Sequence, residues 1–480
     1  MVWALAAALA AGLLQDLRVL PVALFFLLRD GFVNGSRRRG LLLASLTGAV
    51  FWGYGVLATE NLQRRSAVFE SFAAAHPEGM VLAGWISSFP SHGFGRVSFE
   101  LTTTLDGVRL QVLVSTREFV VAYGESIRVQ SRPAAKRRSN GAYVRGRGCA
   151  GSIRAVPGGV EVLEGRGGNV IVRHVLAPLH EQIRRRTTAG VGARAGIPLA
   201  LLIAERGLID RRLRKTFIVL GISHLLALSG LHLGFVVGAL VLAMRLLRRR
   251  SHWFLVAVLL LYVGTVGPVL SLQRALVMAV LLITAAGLHR PLRPMGALVH
   301  AFVLLLIVHP HAIHAVGFQL SFLATFAVLL CAQELGEQGR RDLAGRVWHF
   351  VRSSLWISVA VQLFLAPVIL QYFGRISLVA PVATVIFLVP VAVMLFACAS
   401  AALAALLYPA AGSVLFVVVD HLTEWFDAAL VALAEAAPSP LELPVPSFVV
   451  FYCGLGVFWL ARRKPWVRYV GLAICAAAFL

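Results

Sequence analysis

The sequence predicts a polytopic α-helical membrane protein with a small β-barrel domain inserted on the extracytoplasmic side. Three observations lead there. Hydrophobic residues make up 59% of the chain and charged residues only 14%, where a soluble domain is closer to a quarter charged. Apolar stretches such as 40–58 (GLLLASLTGAVFWGYGVLA) and 253–270 (WFLVAVLLLYVGTVGPVL) are long enough to cross about 30 Å of hydrocarbon as helices. Between 60 and 175 the pattern changes to short alternating segments rich in β-branched residues, which reads as strands.

Taken in order, residues 2–29 read as two short apolar helices broken around Asp16, Arg18 and Pro21. The start lacks the basic leader of a cleaved signal peptide, so it is expected to be a retained membrane segment. A basic turn at Arg37–Arg39 precedes the span at 40–58. The segments MVLAGWIS (80–87), GRVSFELTT (95–103), GVRLQVLVS (107–115) and ESIRVQS (125–131), separated by Asp106–Gly107 and Tyr123–Gly124, predict a small barrel or meander. A basic amphipathic helical stretch follows over 176–221, carrying Arg184–Arg186 and the run Arg211–Lys215. The expected parts are therefore 1–59 (membrane helices), 60–175 (β domain), 176–221 (linker) and 222–480 (membrane domain).

Short basic loops stay on the cytoplasmic side. Arg248–Arg250, Arg290 and Arg293, Arg340, Arg341 and Arg346, and Arg462–Lys464 can all be placed there with one consistent alternation of spans. That alternation puts 60–221 outside. The segment 60–221 is itself strongly basic, and a basic domain held outside the membrane asks for an anionic partner. Of the five cysteines only Cys149 lies outside an apolar run, and no CxxC pair marks a metal site. A phosphate-cradling loop wants Gly before its Lys, but Ala135, Arg214 and Arg463 precede the three lysines. No cofactor is expected.

The chemistry concentrates in three apolar segments. ISHLLALSGLH (222–232) holds His224, Ser229, Gly230 and His232; as one helix it would set His224, Leu228 and His232 four residues apart on one face. SLQRA (271–275) places Ser271 and Arg274 at the head of an apolar run, and GFQLSF (317–322) places Gln319 and Ser321 within another. Polar side chains in such segments either hydrogen-bond neighbouring helices or line a polar pathway. Arg274 near a span end has a third account, snorkelling to the interface. A serine nucleophile is disfavoured because Ala227–Leu231 lacks the two-glycine elbow of hydrolases. His309, His311 and His314 fit either a metal site or a polar loop.

HLLALSGLH behind a basic amphipathic helix, SLQRALVM (271–278), and His309–Pro310 followed by VGFQLSFLA (316–324) together resemble the ComEC-type competence family. Its members are bacterial inner-membrane channels that admit single-stranded DNA during natural transformation. The family's OB-fold-like domain would correspond to 60–175, and Tyr143–Gly148 (YVRGRG) resembles the segment behind it. The sequence departs at Ala204, where a glycine is expected, and at Thr384, where an asparagine is usual.

The resemblance implies a multi-pass protein of the bacterial inner membrane that is not an enzyme. Its route would be lined by His224, Ser229, Gly230, His232, Ser271, Arg274, Gln319 and Ser321. Lys136, Arg137, Arg138, Arg184, Arg185 and Arg186 would contact DNA phosphates, and Phe94, Phe99 and Phe119 are stacking platforms or core residues. Implied partners are single-stranded DNA, membrane lipid, a separate cytoplasmic motor ATPase, a DNA-receptor protein and further copies of the chain. Many relatives continue into a metallo-β-lactamase-like domain; with no such His–Asp motif here, no nuclease activity is expected of this polypeptide. The rival readings are a transporter of another anionic polymer or lipid, and an intramembrane hydrolase using Ser229 and a histidine.

Overall fold

A computed structural model describes residues 39–76, 78–93, 96–117, 121–133, 144–226, 228–246, 251–290, 292–332, 343–460 and 473–479. The first described element is one helix, α1 (Arg39–Ala75). The span expected over 40–58 therefore continues well past Glu60, and the strands begin at Met80.

The next described elements are the strands β1 (Met80–Ile86), β2 (Ser91–Gly93), β3 (Arg96–Leu105), β4 (Val108–Thr116), β5 (Glu125–Pro133) and β6 (Gly151–Arg166). Their order is β1-β5-β6-β4-β3-β2, and β1 also pairs with β3, which closes β1, β3, β4, β6 and β5 into a five-stranded barrel. Among the described residues its pairings are antiparallel except β4 with β6, where Val112–Ser115 run parallel to Gly151–Arg154. Alternation turns Leu82, Ile86, Phe99, Val112, Val114 and Val129 inward, none more than 1% exposed. Phe69 of α1 joins that core. Its ring lies where a Cβ on Gly151 would sit, 2.1 Å away, so β6 must begin with a residue that has no side chain. The sequence pattern does not predict β6: Pro157, Gly158 and Gly159 interrupt it, and its register with β5 skips between Val129 and Ser131.

The linker region is three helices rather than one stretch: α2 (Ala177–Val191), α3 (Gly196–Ile203) and α4 (Arg211–Val219). α3 is buried throughout and ends at Ala204, whose φ of +60° lies in the left-handed region. The helical body continues with α5 (Gly230–Leu246), α6 (His252–Val266), α7 (Leu270–Gly287), α8 (Pro294–Val308), α9 (Val316–Ala332) and α10 (Leu343–Phe373). After the short strand β7 (Arg375–Ile376) come α11 (Ala380–Leu407) and α12 (Pro409–Ala436); then β8 (Leu441–Glu442), which pairs with β7, and α13 (Phe448–Leu460).

Among the described residues three helices are long and apolar enough to cross a membrane: Leu270–Gly287, Ala344–Phe373 and Ala380–Leu407. Shorter apolar helices lie beside them, including His252–Val266 and Val316–Ala332. Their outer surface is apolar, with Val308, Leu403, Leu407 and Val414 each about 60–80% exposed, a surface of the kind that lipid or protein covers. The barrel rests on one end of this body. Gly146 backs onto Ala315, Phe89 onto Gly267, and His92 of β2 onto Glu205. The far ends of α6 and α7, at His252 and Gly287, are the ends next in sequence to the basic stretches at 248–250 and 290.

Candidate functional site

The stretch 222–232 is not one helix. A single 3-10 turn covers Ser223–Leu225, and α5 starts only at Gly230. His224 and His232 therefore do not share a helical face: His224 is exposed on the turn, while His232 is 1% exposed. The break has a local cause. Ser229 stands before the helix and His232 three residues on. The Ser229 backbone N–H donates to His232 Nδ1 at 3.3 Å, and Ser229 Oγ lies 3.1 Å from the same nitrogen. This is the logic of a capping box with histidine in the place of Glu or Gln. Since a backbone N–H can only donate, Nδ1 is the acceptor and the ring proton sits on Nε2. Nε2 is buried and has no partner among the described residues.

α7 crosses next to this break. Ser271 Oγ donates to the Leu228 carbonyl at 2.7 Å, satisfying an acceptor that the interrupted backbone leaves over. One turn further along α7, Arg274 is only 6% exposed. Its Nη1 donates to the Ser321 carbonyl and to Thr325 Oγ1, both on α9, and its guanidinium lies 5.9 Å from the Phe322 ring centroid. Its Nη2 sits 3.0 Å from where a Cβ on Gly230 would be, so glycine gives the guanidinium room that a larger residue would take by a few tenths of an ångström. Arg274 Nε is buried without a partner, and no carboxylate pairs with Arg274 among the described residues. A buried cation of this kind costs several kcal/mol, about 2.5–3.5 on insertion scales, and its neutral partners compensate only in part.

The three sequence segments thus meet at one place. Ser229, Gly230, His232, Ser271, Arg274 and Ser321 belong to the convergent set, Ser321 through its carbonyl rather than its hydroxyl. Gln319 does not join: two residues from Ser321 it lies across the helix, and its Nε2 donates to Ile313 O at 2.7 Å and to Tyr372 Oη at 3.4 Å. Sequence reasoning misses Thr325, although Ser321 and Thr325 make an i,i+4 polar pair in an otherwise apolar helix. His232 and Arg274 are the buried members of the cluster, while Ser229, Gly230, Ser271 and Ser321 are half-buried. Surface cavities elsewhere lie on the barrel and beside Val389, Pro390 and Phe426 of α11 and α12.

The expected phosphate contacts divide. Lys136, Arg137 and Arg138 lie outside the described residues, as do Phe94 and Phe119. Phe99 is a core residue with no exposure, so it is not a stacking platform. Arg184 and Arg185 both grip Glu181, at 2.7 and 2.6 Å. Burial opposes ionisation of Glu181, but the two guanidinium hydrogen bonds and charges outweigh it and hold its pKa at about 2. Arg186 is exposed. His309, His311 and His314 sit where the barrel meets α9, with His311 against Gly148; no group of three metal-ligating side chains forms among the described residues.

A family model described as Competence protein matches residues 201–465, more than half of the chain and all of the convergent cluster. This chain belongs to the competence protein family. Among curated competence relatives, ComE operon protein 3 of Bacillus subtilis (strain 168) is 27% identical over 191 residues, covering 38% of this chain and 23% of that protein. The chain therefore matches under a quarter of that relative's length. No solved structure matches the chain. Membership carries a role in competence. Ala204, where the sequence resemblance leads one to expect a glycine, has a left-handed backbone, a conformation in which glycine is free and alanine is strained.

Proposed function

We propose that this competence protein is a multi-pass channel of the bacterial inner membrane that passes single-stranded DNA into the cell during natural transformation. The observation that carries this reading is Arg274, a buried guanidinium facing neutral partners with Nε left unmatched. A strand bears one charge per nucleotide, and moving each through bare hydrocarbon would cost tens of kcal/mol by Born arguments. A passing phosphate gives Arg274 the anion it lacks. One such cation also suits transit better than many, since a deep electrostatic well would hold the polymer.

The basic stretches at 248–250 and 290 adjoin the helix ends far from the barrel, which supports an extracytoplasmic barrel by the positive-inside rule. The barrel's five-strand closure, with its third and fifth strands parallel, supports an OB-fold-like receiver for the strand. The described arrangement is then the closed state: Gly230 and the Leu228 carbonyl sit against α7 at Ser271 and Arg274, and conduction moves the broken segment 228–230 away from them. A separate motor ATPase and a DNA-receptor protein would supply the pull and the substrate, with membrane lipid around the body and further copies of the chain beside it.

The distance between Ser229 and His232 raises the hydrolase alternative again. We read the pair as non-catalytic, because Nδ1 is already taken by the Ser229 backbone N–H as a helix cap. Ser229→Ala is therefore expected to leave transport largely intact, whereas loss of a nucleophile would abolish a hydrolase. The decisive variant is Arg274→Glu. It is expected to abolish DNA uptake in a transformation assay while membrane insertion, read by fractionation and immunoblotting, is unchanged. Normal uptake by that variant would remove Arg274 from the route.

A further inference from the structure

The outer wall of the barrel carries a second polar site, distant from Arg274. Leu82, Ile86, Leu101, Leu105 and Leu110 point inward, so strand alternation sends Trp85, Thr102, Thr104 and Arg109 outward. Register sets Trp85 opposite Thr102, and Thr104 opposite Arg109. The four line a cavity of about 420 Å³, within the roughly 300–1,000 Å³ of ligand sites.

Three features indicate a built site. The Arg109 guanidinium lies over the Trp85 ring, 5.9 Å from its centroid, and no carboxylate pairs with this exposed arginine among the described residues. On the β5–β6 side the indole is backed by the Gly167–Gly168 turn, where any side chain would clash with it, and by Tyr123 at 6.3 Å edge-on. The ring is thus held in place. Thr102 is 5% exposed although it faces outward, and its Oγ1 has no hydrogen-bond partner. An orphaned hydroxyl of this kind is destabilising until a ligand satisfies it.

We propose that this cavity takes one base of a single DNA strand, stacked between the Trp85 indole and the Arg109 guanidinium, with Thr102 Oγ1 hydrogen-bonding the base edge. This rests on the DNA-uptake reading and adds a specific receiving site to it. A base held between two planar groups needs about 7 Å, twice the ~3.4 Å spacing along a strand. Arg109 is a flexible, exposed side chain and has only about 1 Å to yield. A π face, a cation and a single hydroxyl suit a nucleobase with its phosphate better than a lipid or a polyphosphate, which have no ring to stack. Duplex DNA keeps its bases stacked on each other, so the site selects single strands.

The test uses the full chain purified in detergent. It is titrated with fluorescent oligothymidylate and with an abasic strand of equal length, across a salt series. Wild type should prefer the base-bearing strand. Trp85→Ala should weaken oligothymidylate binding on the order of tenfold and leave the abasic strand nearly unaffected, while Trp85→Phe retains most of the affinity. Arg109→Ala, which removes an exposed side chain and its contact with Trp85 but no barrel-core packing, should weaken both strands and lower the salt slope by about 0.7. If wild type binds oligothymidylate and none of these variants changes the preference over the abasic strand, the site is wrong and the DNA reading stands. If wild type binds neither strand better than inorganic polyphosphate, the DNA reading itself fails and this proposal with it.

Discussion

The barrel and the helical body solve opposite problems. In the barrel, Phe99, Val112 and Val129 are fully buried while Arg109 and Thr104 face out. In the body, Leu407 and Val414 are 79% and 67% exposed, while His232 and Arg274 are inside. The barrel is held by apolar burial in water. In the membrane setting proposed above, the helices would not gain that way against lipid, so packing and a few polar contacts would decide their arrangement. A substitution that removes apolar volume should therefore harm the barrel most, and one that removes polarity should harm the body's function more than its stability.

The sharpest way to break that contrast is Phe99→Ala. The lost core contacts are expected to cost about 3–5 kcal/mol, read as early barrel proteolysis or a lowered denaturant midpoint, with the helical body intact. An equal effect on both regions would show that the barrel is not an independent core. Next, Arg274→Met replaces the buried cation with an apolar side chain of similar length. Stability should stay level or rise by about 1 kcal/mol, measured by thermal unfolding in detergent, while uptake is lost. A large drop in stability would instead make Arg274 a structural brace.

Two smaller changes refine the region between them. Ala204→Gly relieves the left-handed residue that ends α3 and should stabilise the chain by roughly 1 kcal/mol, seen as a raised melting temperature. No gain would mean that the surrounding packing already offsets the strain. The least effect concerns Glu181. Its folded pKa of about 2 lies below its ordinary value of 4.5, so its contribution is present above pH 4.5 and is lost as pH falls toward 2. The pair is partly solvent-screened and worth under about 1 kcal/mol. Glu181→Gln should flatten the stability profile in that acid window and leave it nearly unchanged at neutral pH.

Legibility in the sequence follows the same division. The strands at 80–86, 96–105, 108–116 and 125–133 are readable because a half-buried strand alternates with period two. β6 escapes because Pro157, Gly158 and Gly159 break its pattern. In helices such as α11, where 380–407 are nearly all apolar, no periodicity tells an inward residue from an outward one. Only the rare polar residues serve as markers; the fold brings Ser229, Ser271 and Arg274 near one another, with Ser321 joining through its backbone carbonyl. The markers also suggest Gln319 and His224, which the fold sends elsewhere.

Composition and local pattern are enough to establish apolar helices, a small β domain and the three polar segments, because hydropathy and alternation are properties of neighbouring residues. Three things come only with the tertiary structure: the parallel β4–β6 pairing that closes the barrel, the helix break capped by His232, and the docking of Arg274 onto Ser321 and Thr325, 47 and 51 residues away. Each depends on which distant backbone group is left without a partner once the chain has packed, and no local stretch of sequence carries that information.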